Sequence, residues 1–140
     1  MVASMIAPML ALILWTFVIW FWMYVTRIPA MRAAGIDPGK IKQKGELDAL
    51  PVKVKQIADN YNHLHEQPTV FYALAICTHL LGMVDPLSVG LAWAYVALRV
   101  LHSLIQCTGN FVPLRFVVFV SSSLVLLVIA VRDTLVVLSR

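Results

Sequence analysis

The chain has 140 residues, of which 61% are hydrophobic and only 13% charged, and its net charge is +4. Soluble domains hold roughly 45–50% apolar residues, and a chain this short cannot hide the excess in one core, so the bilayer is the expected solvent. A nucleic-acid reader is argued against as well: seven of the eleven Lys and Arg residues fall in one connecting segment, Arg27 to Lys55, not across a soluble face.

Residues 1–26 carry no charged side chain, and ~20 apolar residues span a bilayer. Trp15, Trp20, Phe21, Trp22 and Tyr24 suit an aromatic belt just before Arg27. A first membrane helix is therefore expected over about residues 4–25. No basic residue precedes the apolar run, so a retained helix is expected here and not a cleavable signal peptide. Residues 27–51 follow as a loop, because Pro29, Pro38 and Pro51 alternate with Gly35, Gly39 and Gly45. The basic charge of this loop marks it as cytoplasmic under the positive-inside rule.

A second helix is expected over 52–84, entered through Pro51, amphipathic at first and then apolar. Pro68 should kink it or free a backbone carbonyl. Asp59, His63 and Glu66, spaced four and then three apart, would share one face of it. GMVDP (82–86) reads as a tight outer turn, followed by a third helix over 87–106. The TGN triplet (108–110) breaks the chain before a fourth helix over 112–138. The expectation is an all-α, integral membrane four-helix bundle in one domain, 1–140, with both termini opposite the basic loop. Cys77 and Cys107, without CxxC spacing, read as buried small hydrophobes. His65 and His79 read as packing or hydrogen-bonded histidines.

Depth counted from Asp85, at ~1.5 Å per residue, brings several polar groups to one level. Glu66 lies 19 residues before Asp85 and His102 lies 17 after it, with Arg99 at 14. Antiparallel neighbours would thus set Glu66 level with His102 and within reach of Arg99. Gln106, Asn110 and Arg115 join from the end of the third helix and the start of the fourth. Intramembrane charges tend to pair, so a Glu66–Arg99 ion pair is one reading; a pocket for an anionic ligand is the other. No metal site is expected. The second helix carries His-x-x-Glu where a bundle site favours Glu-x-x-His, and the arginines would repel a cation.

Two motif regions, HLHEQP (63–68) and RVLHSLIQCTGNFVPLRF (99–116), stand in this order and depth within four spans. In this the whole chain resembles the MAPEG family, membrane-associated proteins of eicosanoid and glutathione metabolism, in a prokaryotic-type form. The resemblance implies a homotrimer in contact with membrane lipids, with glutathione bound between subunits near the cytoplasmic side. It implies a glutathione-transferase- or peroxidase-like protein taking a hydrophobic small-molecule electrophile from the bilayer. Arg115 matches the arginine that stabilises the glutathione thiolate, and Glu66 matches the glutamate that binds the glutathione backbone. His63, Arg99, His102, Asn110 and Arg27 are the further candidate contacts, with Arg32 an alternative to Arg27. Asp59 and His63 fall where the family's catalytic members carry arginine and asparagine, and Gln67 falls where tyrosine is frequent. The family's third-helix tyrosines have no match found in this chain. Those departures support an alternative: a non-catalytic protein of the same fold that binds a lipid or other amphiphile. In a bacterium either would reside in the inner or cell membrane.

Overall fold

In hydrocarbon every backbone N–H and C=O must pair within the protein, so a long apolar run has the helix as its open course. The computed structural model describes residues 4–140 and contains helices and turns, with no strand among the described residues. The first three residues of the expected 1–140 domain lie outside that description. Three helices are long and apolar enough to cross a membrane: α1 (Ile6–Ala33), α4 (Pro86–Cys107) and α5 (Val112–Leu138). Between α1 and α4 run two short 3-10 turns, Pro38–Lys40 and Lys44–Leu47, then α2 (Val52–His63) and α3 (Gln67–Leu80).

The first helix continues two turns past the expected end at Val25. At ~1.5 Å per residue its 28 residues exceed the ~30 Å hydrocarbon core, so its end emerges where water can serve the carbonyl that Pro29 leaves free. Gly35 stops it. Its φ of 69° lets Gly35 and Ile36 donate back to the carbonyls of Arg32 and Met31, a Schellman closure. Gly82, at φ 70°, closes α3 in the same way onto His79 and Thr78.

The expected second helix is not one helix. Pro68 has no N–H and its ring would strike the carbonyl four residues back, so the chain leaves helical geometry at Leu64–Glu66 and restarts at Gln67. The result is a break, stronger than a kink. The shared face of Asp59, His63 and Glu66 does not survive it: Asp59 and Glu66 are exposed and His63 is half-buried.

The core joins Leu12, Ile19 and Met23 of α1 to Ile57, Leu64, Phe71 and Ala75 of α2 and α3, and to Ala92, Tyr95 and Val96 of α4. Helix α4 packs along α5, while α1 packs on α2 and α4. Large apolar side chains stay exposed outside this core, among them Leu14, Phe17 and Phe21 on α1 and Leu124 and Leu127 on α5. That is the inverse of a soluble surface and suits lipid or neighbouring protein. Cys107 is buried as expected, but Cys77 is exposed on α3, because an apolar environment exists outside a membrane helix as well as inside.

The end of the bundle at the α3–α4 turn is fastened by polar pairs. Asp85 caps α4 by accepting from the Ser88 N–H at 2.6 Å, with Pro86 in the first turn. Arg132 of α5 donates to Asp85 Oδ2 at 2.7 Å and to Ser88 Oγ at 2.8 Å. The Arg132 guanidinium, followed by the Ser88 N–H, holds the Asp85 carboxyl well below the usual carboxylate range. One turn away, Thr78 Oγ1 donates to the buried Asp133 at 2.6 Å. Arg140 reaches back to the Leu81 carbonyl at 2.9 Å.

Candidate functional site

At the opposite end the break in the second helix and the α4–α5 turn face each other. His63, the last residue of α2, lies against His102 of α4 with ring centroids 4.7 Å apart, stacked at 27°. Both rings abut Phe119 of α5, at 5.6 Å and 6.3 Å. His63, His102 and Phe119 line a cavity of about 220 Å³ together with Val112, Arg115 and Phe116. Val112, Arg115, Phe116 and Phe119 share one face of α5, so the guanidinium lies among apolar side chains there, while the two imidazoles come from α2 and α4. His63 Nε2 and His102 Nδ1 are buried with no partner. Arg115 donates to Asn110 Oδ1 at 2.6 Å, and Asn110 sits at φ 49° in the α4–α5 turn, a left-handed geometry that asparagine tolerates.

Asn110 also borders a second, larger space. A groove of about 570 Å³ runs between the C-terminal part of α1, the second 3-10 turn and α2. Arg27, Lys44 and Lys55 supply its cations, Asp48 and Asp59 its acids, and Asn62 and Asn110 its amides. Leu47, Leu50, Val52 and Val54 provide its apolar lining. Of Arg27 and Arg32, Arg27 lines the groove, while Arg32 is exposed and lines neither space.

The expected cluster is thus divided. Arg115, His63 and His102 meet in the cavity, whereas Arg27 and Asn110, with Asp59, meet in the groove. Depth counting set Glu66 level with His102, but His63 holds that place. The non-helical residues Leu64–Glu66 turn Glu66 outward, its side chain is 67% exposed, and its Oε2 meets His63 Nδ1 at 3.1 Å. The expected Glu66–Arg99 ion pair is absent among the described residues. Arg99 is fully buried and lines neither space; its Cζ lies 5.7 Å from the Phe119 ring centroid. Gln106 is occupied by a buried bond from Asn60 Nδ2, 2.9 Å long, that ties α2 to α4. His65 takes the hydrogen-bonded place expected of it, with Nδ1 2.8 Å from the Tyr61 carbonyl; His79 is exposed. Among the described residues no three His, Cys, Asp or Glu converge as metal ligands.

Sequence reasoning passed over two residues. Tyr95 is a third-helix tyrosine, fully buried and stacked on Phe71 at 4.6 Å. Its hydroxyl donates to Gln67 Oε1 at 3.2 Å, and Gln67 Nε2 donates to Ser123 Oγ at 2.8 Å. Gln67 thereby joins three helices just past the break. Asn60 is the other. A polar side chain among Ile57, Leu64 and Tyr61 at helical spacing was the available signal for it.

A family model described as the MAPEG family matches residues 5–133, nearly the whole chain. No curated protein and no solved structure matches it. The chain belongs to the MAPEG family, and it is an integral membrane protein in contact with lipid.

Proposed function

From that membership we propose that this protein is a glutathione-transferase- or peroxidase-like membrane enzyme acting on hydrophobic electrophiles. MAPEG members generally use glutathione, and glutathione supplies the sulfur nucleophile when bound. The carrying observation is Arg115 on the wall of a cavity that Val112, Phe116 and Phe119 of the same helix line with apolar surface. A thiol of pKa ~8.5 is only partly ionised at neutral pH, and a fixed cation beside it favours the thiolate. The apolar wall suits an electrophile that arrives laterally from hydrocarbon.

The chain's own groups fit such a ligand in part. The unpartnered His63 Nε2 and His102 Nδ1 can each serve a polar atom of a peptide. Arg27, Lys44 and Lys55 in the groove suit carboxylates, and Asn110 borders both spaces. Glu66, at the break, would accept an N–H from the glutathione backbone. A cavity of about 220 Å³ takes the thiol end of a tripeptide and not the whole, which suits a site completed by a second subunit. The family's members are generally trimeric, and a homotrimer with the basic loop in the cytoplasm is part of this reading.

The test is a difference spectrum of purified protein with glutathione, together with conjugation of a reactive aryl halide. Both signals are expected in wild type and lost in Arg115→Ala, with helicity and oligomer size unchanged. A wild-type protein that gives neither thiolate absorbance nor conjugate sinks the proposal.

A second reading draws on the groove. Asp48 and Asp59 offset its cations, and its four aliphatic side chains suit the chain of an amphiphile. A protein that binds a lipid or other amphiphile without turnover would yield co-purified lipid and no glutathione heat in calorimetry. Saturable glutathione binding would count against it.

A further inference from the structure

One face of α2 sets out polar groups in a fixed order toward the cavity. Lys55, Asp59 and Asn62 follow at spacings of four and three residues and all line the groove, and the next residue, His63, lines the cavity. At ~1.5 Å per residue, Asp59 stands about 4–5 Å from Asn62 along the helix axis, and Lys55 about 6 Å farther. Asn110 also borders the groove and accepts from Arg115 at 2.6 Å, so the two spaces adjoin. Outward from Arg115 the order is therefore amide, carboxylate, ammonium. The groove's charges do not neutralise one another. Among the described residues neither Asp48 nor Asp59 is ion-paired, nor are Arg27, Lys44 and Lys55. Lys55 donates to the Asp48 carbonyl at 3.2 Å, and Arg27 Nη1 has the Met23 sulfur as its partner at 3.9 Å. Opposite charges that line one open groove of about 570 Å³ without pairing suit a ligand that carries both signs.

We infer that this groove selects the free amino-acid end of a thiol peptide, the γ-glutamyl end in glutathione, where an ammonium and a carboxylate share one carbon. The inference rests on the thiol standing at Arg115, as proposed above. From the sulfur, the γ-glutamyl arm presents an amide and then an ammonium with its carboxylate, and these meet Asn62, Asp59 and Lys55 in that order. The glycyl arm presents an amide and then a carboxylate alone, which Asp59 repels. That arm therefore points away from α2. Asp59 is the specificity-determining residue: a thiol without a free amine is disfavoured, however similar its sulfur. Asp59 departs from the arginine of the family's catalytic members, so this selection is the chain's own.

The experiment is calorimetry on the full chain in detergent with three peptides: glutathione, glutaryl-cysteinylglycine, which lacks the amine, and glutathione amidated at the glycyl carboxylate. Loss of the amine should weaken binding about fivefold, the worth of one solvent-facing ion pair, and amidation by less than about twofold. Asp59→Asn should bind glutathione and the glutaryl peptide alike, because the charge that told them apart is gone. The Asp59 side chain is exposed, so the variant's helicity and oligomer size should match wild type. Equal binding of glutathione and the glutaryl peptide to wild type overturns the inference and leaves the thiol reading standing. So does weakening on amidation with none on removal of the amine, which puts the glycyl arm in the groove. Phosphatidylethanolamine, the other source of an ammonium beside an anion, is followed by mass spectrometry of the purified protein. If Asp59→Asn releases that lipid while glutathione affinity stays unchanged, the groove belongs to the lipid and the inference fails. A wild type that binds no glutathione and gives no thiolate absorbance ends both this inference and the reading it rests on.

Discussion

The two ends of the bundle carry similar numbers of polar groups and use them in opposite ways. At the α3–α4 turn they are matched: Asp85 with Ser88 and Arg132, Thr78 with Asp133, Arg140 with a carbonyl. At the end that holds the α2–α3 break, Arg99, His63, His102, Ser103 and Asn60 keep buried atoms with no partner, and His63 and His102 line a cavity. A matched network fastens helices, whereas an unmatched one is held ready for something the chain does not contain. Polar groups inside a membrane protein therefore point to function by their unfilled valences more than by their presence.

The largest break in that comparison should come from Arg115→Ala. It is expected to lower glutathione conjugation by two or more orders of magnitude, as loss of a fixed charge-stabilising donor does, with circular dichroism unchanged. Next is Asn60→Ala, which leaves Gln106 Oε1 without its buried donor. It should destabilise by about 1–3 kcal/mol in a denaturation midpoint. Tyr95→Phe removes one neutral bond to Gln67 and should cost about 1 kcal/mol by the same measurement.

The smallest effect is expected at the Asp85–Arg132 clasp. The Asp85 carboxyl titrates below its ordinary ~3.9, so its contribution is complete above that value and is lost as pH falls through the lower folded value. Acidification below pH ~4 should thus lower the wild-type midpoint more than that of Asp85→Asn, and Arg132→Met should match Asp85→Asn. Equal acid sensitivity in all three proteins would mean that the clasp fastens nothing. A larger loss of conjugation from Arg132→Met than from Arg115→Ala would invert the comparison altogether.

Much of the fold could be read from single residues. The charge-free run to Val25, the basic Arg27–Lys55 segment and the TGN break each depend on local composition, and each has its counterpart in the structure. The site was legible only as a list. Depth counting assumed one straight second helix, and the break at Leu64–Glu66 shifted the register by about one turn, which moved His63 onto His102 and Glu66 to the rim. Tyr95 and Asn60 were passed over because a buried polar residue on an apolar helix resembles its exposed neighbours until its partner is known. Their partners lie 28 and 46 residues away.

By itself the sequence determined the solvent and the four-rod helical plan, because hydropathy and backbone pairing in hydrocarbon are properties of each segment alone. It also supplied the residue types that chemistry would use. Only the tertiary structure decided which of them meet. It divided Arg115, His63 and His102 from Arg27 and Asp59, set Asn110 between the two groups, and enclosed Arg99 behind Phe119. The physical reason is that contacts between helices depend on rotation and register, and a single proline can reset both.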